Sequence, residues 1–298
     1  MFSLSDVCRA VALVSAFTGL VSATPVPKPQ RIVIPPAENA WQARHGLNDA
    51  NYQNTFNQLV NQGYRLTWVD GYTINNDPRF AAIWEQTNDG IEWVARHGLD
   101  ATQYSTAFNQ YANQGFRLKL VNGYTVNNQS RFAAIWDKSR LDGAWVARHG
   151  MTNSQYQQAF DQYVGQGYKL VHISGYTENN SPRFAAIWQR LNRPTSESWV
   201  ARHGLTKDAY WREFNNLKNQ GYRLVNISPY VVNNIEYFAA IWDTSKIPYW
   251  GAHHDLTSSQ YQTAFNQYSD INAKLVSVSP YTLRGNQDRY APIFTRNY

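Results

Sequence analysis

Apolar and polar residues alternate from Trp41 to His45, then give way to a second spacing, with Tyr52, Phe56 and Leu59 at i, i+4 and i+7 among Asn and Gln. The first pattern predicts a short strand and the second one face of a helix whose other face is solvated. Gly46 breaks the strand, and Asn48 stands where a helix N-cap belongs, with Leu47 and Tyr52 spaced as a hydrophobic staple. Gly63 ends the helix as a left-handed cap. A second strand is predicted over Tyr64–Asp70 and a third over Arg79–Trp84. Between them lies a loop expected to hold Gly71-Tyr72, Asn75-Asn76 and Pro78. The unit reads β-α-β-β, the last two strands forming a hairpin.

The unit recurs. Trp-x-Ala-Arg-His-Gly starts at Trp41, Trp93, Trp145 and Trp199, and a worn copy, Trp-Gly-Ala-His-His-Asp, starts at Trp250; the steps are 52, 52, 54 and 51 residues. A fixed period of this size predicts an α+β repeat protein, five β-α-β-β repeats of about 52 residues forming a ring or short solenoid. The repeats span 41–92, 93–144, 145–198, 199–249 and 250–298. The remaining N-caps fall at Asp100, Thr152, Thr206 and Thr257, three of the five helices gain a capping box through Gln103, Gln155 and Gln260, and Gly115, Gly167, Gly221 and Asn272 repeat the left-handed cap. Pro292 stands where the other copies have Ala82, Ala134, Ala186 and Ala240, which predicts an edge strand, because proline cannot donate to a ladder.

Residues 1–23 read as a secretory signal peptide: Arg9, an apolar run to Leu20, then Val21-Ser22-Ala23 as cleavage site. The competing reading is a buried helix, but Pro25, Pro27 and Pro29 follow at once. Residues 24–40 form a proline-rich linker with a lone strand expected at Arg31–Ile34. Cleavage would remove Cys8, the one cysteine of the chain, and with it any thiol nucleophile or cysteine metal site. With 43% of the full sequence hydrophobic, the chain has enough apolar side chains for a core without disulfides. A net charge of +6 with 16% charged residues is a mild bias that, outside a cell, suits an anionic polysaccharide, acidic protein or matrix better than nucleic acid. No membrane contact is expected once the signal is gone. Asn128 and Asn179 are N-glycosylation acceptors, read as occupying the same turn position in repeats two and three.

Candidate chemistry is sparse. Arg44, Arg96, Arg148 and Arg202, each followed by histidine, are candidate anion-binding residues. Alternation on a strand sends the histidine inward with Trp and Ala and the arginine outward with Val, so the competing reading is structural. Nine of the eleven tryptophans occupy two repeat slots and read as core; Trp68 and Trp211 fall outside those slots and are read as exposed contacts. A slot two residues after the fixed leucine of the second strand holds Trp68, Leu120, His172, Asn226 and Ser277. Such variety predicts an exposed or ligand-lining position. Neither a cofactor nor a metal site is indicated. Patterns of zinc peptidases, P-loops, nucleophile elbows and Ser-x-x-Lys are missing, and acidic residues do not recur in pairs.

The succession Trp-Val-Ala-Arg-His-Gly, Tyr-x-x-x-Phe, Gly-Tyr-Arg-Leu and Arg-Phe-Ala-Ala-Ile-Trp resembles bacterial-type tandem repeats and the repeat region ahead of the catalytic domain in fungal polyglycine hydrolases. The resemblance covers 41–298. It implies a secreted, fungal context and a recognition role beside a β-lactamase-like serine endopeptidase domain whose Ser-x-x-Lys has no counterpart here. The sequence therefore favours a secreted non-catalytic repeat domain that binds a glycan, a cell-wall polymer or a protein. The alternative is a secreted serine-type hydrolase of that kind, or its non-catalytic part.

Overall fold

A computed structural model describes residues 40–193 and 195–296. The signal peptide and the lone strand at Arg31–Ile34 lie outside the described residues, as does nearly all of the linker. Five repeats follow one another, each with a helix and its own three-stranded antiparallel sheet. The first comprises β1 (Trp41–Asn48), α1 (Asp49–Asn61), β2 (Tyr64–Ile74) and β3 (Asp77–Gln86). The second has β4 (Trp93–Leu99), α2 (Ala101–Asn113), β5 (Arg117–Val126) and β6 (Gln129–Asp137); the third β7 (Gly143–Met151), α3 (Asn153–Gly165), β8 (Lys169–Glu178) and β9 (Ser181–Leu191). The fourth has β10 (Trp199–Thr206), α4 (Lys207–Asn219), β11 (Arg223–Val232) and β12 (Ile235–Asp243); the fifth β13 (Tyr249–Ala252), α5 (Ser258–Asp270), β14 (Lys274–Leu283) and β15 (Gln287–Arg296). In each sheet the third strand of the repeat is central.

Local chemistry accounts for the helices. All five start at the expected N-caps, and the reciprocal capping boxes form with Gln103, Gln155 and Gln260. Gly63 and Asn272 adopt φ of 84° and 55°, the left-handed conformation that lets the chain leave the helix and enter the second strand.

The hairpin is tighter than expected. Gly71, Tyr72 and Pro78 lie inside strands, and the turn is the pair Asn75-Asn76, both at positive φ. Two left-handed residues match the right-handed twist of the flanking strands, and asparagine tolerates that conformation. Glycine at position 71 serves a neighbour rather than a turn, as described below.

The third strand shows why Arg-Phe-Ala-Ala-Ile-Trp is apolar throughout: both faces are covered. Phe132, Ala134 and Trp136 pack with Tyr104 and Tyr111 of their own helix, while Ala185 and Ile187 of the next repeat close the same layer from the other side. Each core layer is thus one repeat's helix and sheet face pressed on the following sheet. The layer of repeat one also includes Tyr261, Leu275, Val278 and Tyr290 of repeat five. Each second strand touches the next, and β14 touches β2.

Pro292 overturns the edge-strand expectation, since β15 is central. The missing N–H acts instead on its neighbour. β13 pairs only as far as Ala252, opposite Ile293, and spans four residues; His253 N–H still donates to Pro292 O at 3.1 Å.

A bulge at Thr67 explains a second difference. Leu66 pairs with Trp84 and Trp68 with the adjacent Ile83, so Leu66 and Trp68 project from opposite faces. The same irregularity recurs in β5, β8, β11 and β14. The slot of Trp68, Leu120, His172, Asn226 and Ser277, read as sharing the leucine face, is therefore turned towards neighbouring repeats.

Candidate ligand cavity where the second strands meet

The second strands are joined by side chains rather than by a backbone ladder. Asn122 Nδ2 donates to Val69 O at 2.7 Å, Gly123 N–H to Ser174 Oγ at 3.0 Å and Gly175 N–H to Ser228 Oγ at 2.8 Å. Three threonine hydroxyls follow suit: Thr125 donates to Thr177 O, Thr177 to Val231 O and Thr282 to Thr73 O. The last crosses from repeat five to repeat one.

Close approach at this level requires glycine. A Cβ on Gly71, Gly123 or Gly175 would stand 2.3–2.5 Å from the ring of Tyr124, Tyr176 or Tyr230 of the next repeat. Seated there, Tyr124 and Tyr176 accept hydrogen bonds from Gly98 and Gly150 N–H of their own first strands, at 3.1 and 3.0 Å. Repeats four and five carry Pro229 and Pro280 in the glycine slot, and the tyrosines that follow them in register bond elsewhere: Tyr281 donates to Glu236, and Tyr72 meets the Tyr290 hydroxyl at 2.8 Å. Gly123→Ala should reproduce that displacement in repeat three. Its expected cost is about 1–3 kcal/mol of stability in a urea melt, with faster amide exchange at Gly150; unchanged exchange would contradict the packing role.

Above these contacts lies a cavity of about 660 Å³, lined by all five repeats. Tyr72, Tyr124, Tyr176, Tyr230 and Tyr281 contribute rings, Thr73, Thr125, Thr177 and Thr282 hydroxyls, and the hairpin turns bring Asn75, Asn76, Asn128, Asn180, Asn234 and Asn286. Asp70 also lines it and is itself buried. Burial holds its carboxyl well above the ordinary carboxylate range, partly opposed by hydrogen bonds from the Ser279 hydroxyl and the Gly71 N–H. Asp70 escaped the sequence reading. The signal was present: its slot holds Asn122, Ser174, Ser228 and Ser279, always polar between buried neighbours.

The variable slot is not a surface. Trp68 is 8% exposed, and Leu120, His172, Asn226 and Ser277 are also buried. Side chains of separate repeats meet there: the Trp68 ring lies 5.8 Å from that of His172, Trp68 Nε1 donates to Val278 O, and His172 Nε2 lies 2.9 Å from Val121 O. Asn226 Nδ2 is 3.4 Å from His172 Nδ1. Unlike residues are tolerated because they fill one space jointly, a large Trp offsetting a small Ser. Burial lowers the His172 pKa to about 4, leaving it neutral.

The other candidates stay apart. Arg44, Arg96, Arg148 and Arg202 each donate to the carbonyl of the preceding alanine. Arg96 and Arg148 lie over Tyr111 and Tyr163, and Arg202 pairs with Glu213 at 2.9 Å. Their histidines wedge into the preceding repeat, as His97 does between Tyr52 and Phe80 at ring distances of 4.6 and 5.2 Å. His45 makes the same contact with Tyr261 and Tyr290 of repeat five. The tryptophan slots are core as read, fully for Trp84, Trp136, Trp188 and Trp242 and partly for Trp41, Trp93, Trp145, Trp199 and Trp250. Trp211 is 45% exposed beside His254. Asn128 and Asn179 are exposed in the turns, but one residue out of register: Asn128 is the second turn residue, Asn179 the first. Among the described residues no three His, Cys, Asp or Glu side chains converge as metal ligands would.

The model of the polyglycine hydrolase-like structural repeat matches the chain five times, over residues 38–87, 90–139, 142–191, 196–245 and 247–297. No curated protein matches the chain.

Proposed function

Because the chain belongs to the polyglycine hydrolase-like structural-repeat family, we propose that it is a secreted, non-catalytic binding module whose five repeats close as a ring around one ligand cavity. Secretion rests on the signal-like segment 1–23. Closure is supported by the contacts of β14 with β2, by Trp68 on Val278 and by His45 in the repeat-five aromatic pair. The observation that carries the binding reading is the cavity itself, to which every repeat contributes turn asparagines and strand tyrosines.

Its lining favours a glycan or cell-wall polymer. Amides and hydroxyls supply donors and acceptors for sugar hydroxyls, and tyrosine rings supply apolar faces. Retention on chitin, glucan and pectin resins is the test, comparing the wild type with an Asn180→Gly, Asn234→Gly double variant. Glycine keeps the positive φ of the turn and removes the amide. Binding to at least one resin should weaken about 2–10-fold per amide lost. Retention on none of them, or equal retention of the variant, would sink the cavity as the binding site.

A hydrolase reading would use His45 Nε2, 3.1 Å from Ser258 Oγ beside a cleft of about 410 Å³ at the junction of repeats one and five. Comparable pairs join other repeats, His149 with Ser105 at 3.3 Å and His97 with Asp49 at 3.2 Å, which fits a junction contact better than a nucleophile. Stoichiometric labelling of Ser258 by a fluorophosphonate would reverse that preference.

A further inference from the structure

Asp70 breaks the equivalence of the five repeats where the cavity is lined. Its register partners are Asn122, Ser174, Ser228 and Ser279, all neutral, and Lys, Arg and His are missing from the lining residues. The neighbours that face it are neutral, with Ala81 opposite on β3, Asn122 and Tyr124 on β5 and Ser279 and Tyr281 on β14, while the nearby cations act elsewhere, Arg79 of β3 on Tyr72 and Arg131 of β6 on Tyr124. Tyr124 is the titratable group that feels the Asp70 charge, and burial keeps its phenol neutral. Two donors, the Ser279 hydroxyl and the Gly71 N–H, reach a carboxylate that has about four acceptor sites. A buried carboxylate without a counter-ion costs free energy unless a ligand supplies the positive charge.

We propose that Asp70 receives a protonated primary amine of the bound glycan, so that the cavity selects a free amino sugar over its N-acetylated form. This rests on the glycan reading above and narrows it. Burial favours the protonated acid at Asp70, and a neutral sugar leaves that preference in place. An ammonium group binds the carboxylate, and the carboxyl proton passes to solvent. Complex formation therefore releases a proton, and affinity rises with pH until the ligand amine itself loses its charge.

The test is titration calorimetry with trisaccharides of glucosamine, N-acetylglucosamine and glucose, in two buffers of different ionisation enthalpy. The wild type should prefer the glucosamine trimer by about tenfold or more, with net proton release. Asp70→Asn should bind the three trimers alike, without proton release. The fold should tolerate that variant, because Asn122 already fills the same place in repeat two. The folded-state pKa of Asp70 lies above the unfolded value, so its stabilising contribution is complete at low pH and is lost as pH rises. Asp70→Asn should therefore melt no lower than the wild type at pH 7, the gap narrowing on acidification. Equal binding of the trimers by the wild type, or a preference that survives in Asp70→Asn, would overturn the amine site while leaving resin retention intact. Loss of all resin retention would instead sink the glycan reading and this proposal with it.

Discussion

Urea denaturation of a Trp68→Ala protein should show a loss of about 3–5 kcal/mol relative to wild type, the cost of removing a large buried ring whose surroundings cannot collapse. Trp68 lies where second strands of different repeats meet, and its indole N–H donates to Val278 of repeat five. The loss should therefore exceed that of Trp211→Ala, which removes a ring that is 45% exposed. The shared-space account makes a sharper demand. Ser277→Trp alone overfills the position and should cost about 1–3 kcal/mol. Combined with Trp68→Ser, it restores the total volume, so the double variant should be more stable than the sum of the single losses by at least 1 kcal/mol or so. Strict additivity would show that the five residues occupy independent sites.

Acidification supplies the second large effect. Burial lowers the pKa of all seven histidines, to about 4 for His172 and His254, against an ordinary value of 6.5. An unfolded chain therefore takes up protons before the folded one does. The stability these groups confer is complete above pH 6.5 and is lost as pH falls towards 4. For fully buried His172 the ceiling is on the order of 3 kcal/mol. The half-buried histidines add less: His45, His97, His149, His203 and His254 each lie at a joint between repeats, and His253 packs on Tyr268 of its own repeat. Asp70 works in the opposite direction, but it is one group against seven. Urea midpoints at pH 7.5, 5.5 and 4.5 should fall steadily, and His172→Gln should flatten part of the slope. A midpoint independent of pH across that range would refute the account.

What the sequence revealed was what short-range chemistry determines. The caps at Asn48 and Gly63, the boxes at Gln103 and Gln155 and the buried Trp84 slot all follow from residues within a few positions of one another. What it concealed depends on contacts between repeats. Gly71 reads as a turn residue, yet it is glycine because Tyr124 lies on it. Trp68 and Leu66 look like partners on one face until the bulge at Thr67 separates them, and nothing in the local composition marks that bulge. Pro292 sits in the centre of a sheet because its first strand was shortened instead. Of the candidate site, the turn asparagines were legible and Asp70 was not, because its significance lies in the same slot being neutral in the four other repeats and in the cavity that brings those slots together.

Pro229 and Pro280 make the contacts of repeat four with five and of repeat five with one unlike those between the earlier repeats, and the hydrogen-bonded series Tyr72–Tyr290–Asp288 occurs where repeat five touches repeat one. Modules with identical mating faces could dock out of sequence, skip a neighbour or latch onto another molecule during folding. Here the final joint has a lock that fits only its own key. Copying built five like units, and one added hydroxyl, on Tyr290 where the other copies have phenylalanine, makes this contact unlike the rest.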